Sequence, residues 1–213
     1  MHVYKLINST SNDLLNIAQC HKQCFKRSLS SKLGLLYIKK TFEWFLNSPN
    51  RFLFHIANDD GVIGYCGGFT PQFIGDGSTS GIIQYAMRQA IVGVALHPWL
   101  LFNNEVIEMY PLIFKNVQKK LSAKKAKIIT RPVESFDRRV GLVVIGVHPG
   151  HRGLGVFQNL MHEFELRAAN QGIYKLSLTV KKDNIGAIKA YTKQGWFVTN
   201  EHVHTLEMGK YIQ

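Results

Sequence analysis

Between Val140 and Glu165 the chain reads VGLVVIGVHPGHRGLGVFQNLMHEFE, and this stretch limits the fold more tightly than any other. Val140 to Val147 is apolar and β-branched over the length of a buried strand, interrupted only by Gly141 and Gly146. A glycine inside such a run marks a bulge or the close approach of another group. After Pro149, the segment Gly150-His151-Arg152-Gly153-Leu154-Gly155 predicts a turn in which backbone N–H groups converge. Gly153 and Gly155 permit it, because they tolerate backbone angles that side-chain-bearing residues avoid. From Val156 the apolar residues Val156, Leu160, Phe164 and Ala168 recur at four-residue steps, so a helix starts at the turn and aims its positive dipole end at the same place. Arg152 adds a cationic fork. A strand, a glycine turn and a helix in that order make a site for a pyrophosphate.

Phosphate affinity alone does not choose among nucleotide-binding families. The dinucleotide pattern GxGxxG, with an acidic residue about 20 positions on, does not fit RGLGVF, and the Gly-Lys-Ser/Thr ending of a Walker loop is absent. A second block lies downstream: Asn184-Ile185-Gly186-Ala187-Ile188-Lys189-Ala190-Tyr191-Thr192-Lys193-Gln194-Gly195-Trp196. Asn184, Ala187 and Tyr191 stand at i, i+3 and i+7, on one helical face, and Gly195 is the expected helix stop.

These two blocks resemble the GCN5-related N-acetyltransferase (GNAT) family. Arg152-Gly153-Leu154-Gly155-Val156, preceded by Ile145-Gly146-Val147-His148-Pro149, is similar to the family's acetyl-CoA signature Gln/Arg-x-x-Gly-x-Gly/Ala. The second block is similar to its Asn-x-x-Ala-x-x-x-Tyr-x-x-x-Gly-Phe, with Trp196 placed before Phe197. One position departs: Phe157 stands where the family usually has Gly or Ala, which bears on packing beside the pyrophosphate. The resemblance implies an α/β GNAT fold, with a central mixed sheet of six to seven strands flanked by helices and a cofactor cleft where the fourth and fifth strands splay. It implies acetyl-CoA as co-substrate, held by Ile145, Gly146, Val147, His151, Arg152, Gly153, Leu154, Gly155, Val156, Asn184, Ala187 and Tyr191, with no metal.

The chain of 213 residues is 46% hydrophobic, enough for a full core, and one domain spanning 1–213 is expected. No apolar run reaches the roughly 18 residues of a membrane span, and the first residues lead into a strand rather than a signal-peptide core, so a cytoplasmic protein is expected. Three scattered cysteines, Cys20, Cys24 and Cys66, agree with a reducing compartment. Cys20-His21-x-x-Cys24 lacks the second cluster that a zinc site needs and reads as core. The formal charge of +12 attracts anions. Nucleic acid is not expected as a partner, because no reader motif or interleaving of basic and aromatic residues occurs. The densest basic run, Lys119-Lys120 and Lys124-Lys125-x-Lys127, reads as a solvated helix end.

Met1 to Asn8 predicts a first strand, Ser9 to Asp13 a helix cap, and Ser28 to Gly34 a polar turn before a second helix to Ser48. Ser30, Ser31 and Tyr37 read equally as acceptor contacts or as caps and packing. Arg51 to Ala57 and Val62 to Phe69 form a hairpin about Asn58-Asp59-Asp60-Gly61. Gly64, Gly67 and Gly68 thin the returning strand for substrate or backbone, and His55 reads as a hydrogen-bonded core histidine ahead of a catalytic base. Residues 70–135 form a helical insertion between strands 3 and 4, too long for an ordinary loop. Gly75 to Gly81 is expected as its polar tip. One helix carries Ile83, Met87, Ala90 and Val94 to a stop at His97-Pro98, and a second runs from about Asn103 to Leu121. An acceptor lid is the first reading of this insertion, with a homodimer contact or a membrane-facing surface as the others. Lys127 to Thr130 reads as a short strand, Tyr174 to Val180 as the fifth strand, and Trp196 to Ile212 as a closing hairpin with its turn near Asn200-Glu201. There His202 and His204 share a side and read as structural.

Acetyl transfer to an amine needs a polarised thioester, a deprotonated amine and a proton for the departing thiolate. The resemblance assigns the strand around Ile145 to Val147 to the pantetheine arm and thioester oxygen. Tyr191 is the candidate acid, since a phenol stays protonated at neutral pH. Asn184 is read as a partner of the cofactor arm, with helix capping as the competing account. Glu134 is the first candidate base and Asp137 the second. The size of the insertion and the positive charge suggest a small, anionic amine acceptor such as a nucleotide-linked amino sugar. A peptide or protein amine, or non-catalytic acetyl-CoA binding, are the alternatives.

Overall fold

The computed structural model describes residues 4–73, 76–102 and 138–213. Seven strands form one mixed sheet: β1 (Lys5–Asn8), β2 (Arg51–Asn58), β3 (Gly61–Phe69), β4 (Val140–Val147), β5 (Lys175–Lys181), β6 (Phe197–Glu201) and β7 (Thr205–Tyr211). Their order is β1-β2-β3-β4-β5-β7-β6. Every neighbouring pair is antiparallel except β4 with β5. That single parallel pair follows from the crossover helix between the two strands, α6 (Val156–Asn170).

Two apolar layers cover the sheet. On one face α6 buries Val156, Leu160, Phe164 and Ala168, the four positions read from the four-residue repeat, against Phe54, Ile63, Cys66 and Leu176. The helix α7 (Ile185–Lys193) adds Tyr191 to this layer, and Trp196 follows it. On the other face α1 (Leu14–Cys24) and α3 (Leu35–Leu46) pack Ile17, Ile38, Phe42 and Phe45 against Leu53, Tyr65 and Phe69. At about 25 cal/mol per Å² of apolar area removed from water, each fully buried large side chain here contributes about 1.5–3 kcal/mol.

Several expectations are revised. Ser28 to Gly34 is more than a turn: Ser28 accepts a hydrogen bond from the Ser31 N–H at 3.2 Å and caps a five-residue helix, α2 (Leu29–Leu33). The first helix of the insertion is two, α4 (Ser78–Tyr85) and α5 (Met87–Leu96), broken at Ala86, so Ser78 to Gly81 is helical rather than a polar tip. Gly64, Gly67 and Gly68 make room for side chains, not substrate. A methyl group there would come within 2.8 Å of Val156, 2.8 Å of Phe45 and 2.1 Å of Phe52 respectively. The final hairpin turns at residues 202–204, just beyond Asn200-Glu201, and both His202 and His204 lie in that turn. His55 is a core histidine, 2% exposed, its Nδ1 bonded to Ser9 Oγ at 2.9 Å. The strand expected at Met1 begins, where described, at Lys5. The second insertion helix, the strand at Lys127 to Thr130, the basic run from Lys119, and Glu134 and Asp137 lie outside the described residues. Among the described residues no helix is long and apolar enough to cross a membrane.

Candidate active site

The parallel pair β4–β5 is short. It is registered at Val140–Leu176, Gly141–Ser177 and Leu142–Leu178 and stops there. Beyond Leu142, β4 keeps its antiparallel partner β3 out to Val147, while β5 runs on to Lys181 along β7. The two strands therefore open like a V. The opening begins where the ladder of β3 and β4 slips: Gly68 faces Leu142 and Gly67 faces Val144, so Val143 is the extra residue of a bulge, which bends a strand locally.

The glycine turn sits at the wide end of this V. His148 donates its N–H to the Ile63 carbonyl at 2.8 Å, which ties the end of β4 to β3. A short 3-10 turn, Pro149–His151, follows, with the Gly150 N–H donated to His148 Nδ1 at 3.3 Å. Gly153 and Gly155 have φ of +79° and +82°, the left-handed region in which a side chain is strained. A Cβ at either would meet nothing within 4 Å, so the backbone angle, not crowding, calls for glycine, and the loop presents an open surface. Helix α6 starts at Val156, and the amides of its first turn have no acceptor within the helix. An anion placed there meets both these donors and the helix dipole.

The predicted cofactor residues divide by location. Ile145 and Val147 are half-buried on the α6 face of β4, beside the V. Gly146 faces the other way, and a methyl group there would lie 2.5 Å from the Tyr65 hydroxyl, so the Tyr65 ring is what demands glycine. Leu154 is exposed, while Val156 is buried. His151 is half-buried, its Nε2 3.4 Å from Asn58 Nδ2 and its ring against His148. Arg152 donates from Nε to the Val147 carbonyl at 3.3 Å and from a terminal nitrogen to the Cys24 carbonyl at 3.4 Å, long contacts that hold the fork beside the loop. Asn184 caps α7, its Oδ1 accepting from the Ala187 N–H at 3.3 Å. Phe157 turns its bulk inward onto Tyr191, with ring centroids 5.8 Å apart. Tyr191 is 8% exposed, wedged between Phe157 and Trp196. Burial, with Cys66 adding to it, pushes its phenol well above the ordinary value, so the proton stays on.

Two groupings were not apparent in the sequence. Under Gly146, His21 Nδ1 lies 2.6 Å from the buried Tyr65 hydroxyl and its Nε2 2.9 Å from Ser30 Oγ, and Ser30 continues to Ser28 at 2.9 Å. Burial lowers the His21 pKa to about 4, which leaves the imidazole neutral. In the sequence Ser30 reads as an acceptor contact or a cap, and His21 stands out only beside the cysteines. The Cys20 and Cys24 thiols are 4.0 Å apart. That contact, together with the Arg152 charge, holds the Cys24 thiol below its ordinary value while Cys20 is pushed up. The second grouping is a groove of about 380 Å³ on the α1 face, across β4, β5 and β7 at the closed end of the V. Its walls include Arg139, Gly141, Lys175, Ser177, Thr179 and Glu207, and the start of the insertion supplies Asp76 and Ser78. Their spacing of two along β5 was legible as strand alternation, but nothing in the order of residues joins them to Glu207. Among the described residues no group of three metal-ligating side chains occurs.

Comparison with known proteins agrees with this geometry. The model of the Acetyltransferase (GNAT) family matches residues 121–196, which include the glycine turn and Tyr191. Over 83 residues the chain is 32% identical to a mycothiol acetyltransferase of Jonesia denitrificans; the match covers 39% of this chain but only 26% of that protein. A PaiA N-acetyltransferase from Thermoplasma acidophilum in complex with coenzyme A superposes with a TM-score of 0.58 at 12% identity, over 99% of each chain. The ribosomal-protein-S18-alanine N-acetyltransferase from Escherichia coli does so with a TM-score of 0.56 at 11% identity, over 99% of this chain and 95% of that one. At such identities the likeness is one of fold.

Proposed function

We propose that this chain is a member of the acetyltransferase (GNAT) family and an acetyl-CoA-dependent N-acetyltransferase acting on the amine of a small acceptor. The observation that carries the reading is the V between β4 and β5, with an open glycine turn and a helix N-terminus at its mouth; a buried, protonated tyrosine, Tyr191, packs in the apolar layer on the α6 face. In this assignment the amides of Gly153, Gly155 and Val156 hold the pyrophosphate, with Arg152 alongside. His151, Leu154, Asn184 and Ala187 flank the cofactor, and the free edge of β4 from Ile145 through Gly146 to Val147 takes the pantetheine arm by backbone pairing. The residues fit such a group: the glycines leave open space, and Phe157 is spent on Tyr191 rather than on the turn. Bound acetyl-CoA supplies an activated acyl group.

The chain's own part is orientation and proton management. An amine reaches the thioester carbonyl from the groove side of β4, and the amides of β4 near the bulge polarise that carbonyl. Tyr191 gives its proton to the departing sulfur, and Glu134 is the assigned acceptor of the amine's proton, with Asp137 its alternate. The acceptor reading of a small anionic amine, a nucleotide-linked amino sugar among them, rests on the net charge of +12 and on a groove whose lining mixes Arg139 and Lys175 with Asp76 and Glu207 and is not uniformly acidic. The insertion, 70–135, is assigned as the acceptor lid, since its described start lines the groove through Asp76 and Ser78.

Titration calorimetry of acetyl-CoA, followed in the same sample by thiol release with a panel of amines, tests this. Micromolar binding, with release stimulated by small anionic amines, is the expected outcome. Binding without any stimulated release would leave a non-catalytic acetyl-CoA-binding protein, and release stimulated only by protein amines would move the acceptor to the peptide class.

A further inference from the structure

The groove has two ends of opposite charge. Strand alternation puts Lys175, Ser177 and Thr179 of β5 on its floor, opposite the face that buries Leu176 and Leu178. The register of β5 with β7 sets Lys175 beside Tyr211 and Thr179 beside Glu207. On the other side, Val140 faces Leu176, which brings Arg139, the residue before β4, level with Lys175. One end therefore carries Arg139 and Lys175, and the other carries Glu207. The ladder of β4 and β5 ends at Leu142–Leu178, so Glu207, one strand beyond β5, is level with the start of the V, and the two cations are level with its closed end. Along the strand axis four steps of about 3.3 Å separate the ends, about 13 Å, and Glu207 is offset by one further strand across the sheet.

The neighbouring charges sharpen this polarity. Asp76 shares the wall, but its carboxylate accepts the Gln72 N–H at 3.0 Å and acts on Arg51. Among its contacts, Lys175 lies over the Tyr211 ring, 5.9 Å from its centroid. Glu207 accepts from His202 Nε2 at 2.9 Å, which anchors the carboxylate at the groove's edge while leaving it lone pairs for a further donor. Ser177, Thr179 and Thr199 line the stretch between with hydroxyls rather than charges.

We infer that the acceptor is a two-ended molecule. Its ammonium group rests against Glu207 next to the thioester position, and an anionic group about 13 Å away rests against Arg139 and Lys175. This rests on the acetyltransferase reading above and narrows it: a short amine carrying its anion on the same carbon cannot span the groove, whereas an extended peptide with a free carboxylate, or an amine linked to a distant phosphate, can.

Tetraglycine, about 13 Å long when extended, and tetraglycine amide are the probes, with glycine and glycinamide as the short pair. At low ionic strength, where such charges are least screened, tetraglycine is expected to exceed its amide in kcat/KM by about tenfold, a typical return from two charge contacts. Glycine should show no such advantage over glycinamide. In the Arg139→Gln/Lys175→Gln double variant the tetraglycine ratio falls towards one, while Glu207→Gln raises KM for both peptides alike. Equal kcat/KM for the acid and the amide, or a preference that survives the double variant, overturns the inference. If no amine releases thiol, the acetyltransferase reading itself fails. The groove is then judged by equilibrium binding of the two peptides to the same protein: equal affinities overturn its polarity, and a preference lost in the double variant upholds it.

Discussion

The two faces of β4 are built by different rules. Towards α6, the strand, glycine turn and helix are contiguous in the chain, and each step dictates the next: apolar strand, positive φ at Gly153 and Gly155, then a helix whose first amides lack partners. Towards α1, nothing is contiguous. His21, Ser30, Tyr65 and Gly146 meet across four elements, and the groove collects Arg139, Lys175 and Glu207 from three. The first face binds a part common to many reactions and needs only backbone. The second discriminates among acceptors and needs side chains, whose meeting is a property of the fold.

That division puts the largest single effect on the α6 face, at Tyr191. Tyr191→Phe keeps the ring against Phe157 and Trp196 and removes only the hydroxyl. Turnover is expected to fall about a hundredfold or more, with acetyl-CoA affinity by calorimetry changed less than about twofold. Unchanged kcat would show that the buried phenol is packing alone.

The acceptor face is expected to answer to pH. Burial disfavours the His21 imidazolium, so folded His21 takes its proton only near pH 4, against an ordinary 6.5 for the unfolded chain. Between those values the unfolded state binds more protons. Stability is therefore full above about 6.5 and is lost as pH falls towards 4, by at most about 3 kcal/mol from this group. His55, lowered by burial against the pull of Asp13, contributes in the same direction. Urea midpoints measured at pH 7 and 4.5 should differ clearly in the wild type and markedly less in His21→Asn. An identical drop in both would place the pH response elsewhere.

Much of the α6 face was legible because its signals are local. The four-residue repeat from Val156, the helix stop at Gly195 and the cap at Asn184 each act within one element, and each stands where the sequence put it. The break at Ala86 was not legible, since Ile83, Met87, Ala90 and Val94 continue a helical spacing straight across it. Nor was the reason for Gly146: its strand position signalled a close approach, but the approaching group, Tyr65, is far earlier in the chain on a strand paired in register with it. Glutamate 207 escaped notice for the same reason. It sits in an unremarkable hairpin, and only the sheet order β4-β5-β7 carries it to the groove.

One substitution made on both faces separates the rules at smaller scale. Gly155→Ala forces a side chain into φ of +82° with nothing to collide with, a local cost of about 1–2 kcal/mol. Its expected result is a slackened turn that binds acetyl-CoA several-fold more weakly, with the thermal midpoint lowered modestly. Gly146→Ala leaves the strand angles ordinary but drives a methyl into the Tyr65 ring, at an overpacking cost of about 1–3 kcal/mol. Its expected result is a lowered midpoint together with a disturbed His21 environment, read as a shifted imidazole resonance by NMR. Identical profiles for the two variants would mean that the faces are not independent.

The smallest effect expected is on neither face. Glu165 on α6 meets Lys210 on β7 at 2.6 Å, with side chains 20% and 19% exposed. The pair gains Coulomb energy from its partial burial but is still wetted at one edge, so Glu165→Gln should cost no more than about 1 kcal/mol of stability and leave kcat/KM unchanged. Half a molar salt should shrink even that difference, since screening reaches an exposed edge first. A loss well above that value would mean that α6 is clamped to the last hairpin by this contact, and that the wall holding Tyr191 depends on charge as well as on its apolar layer.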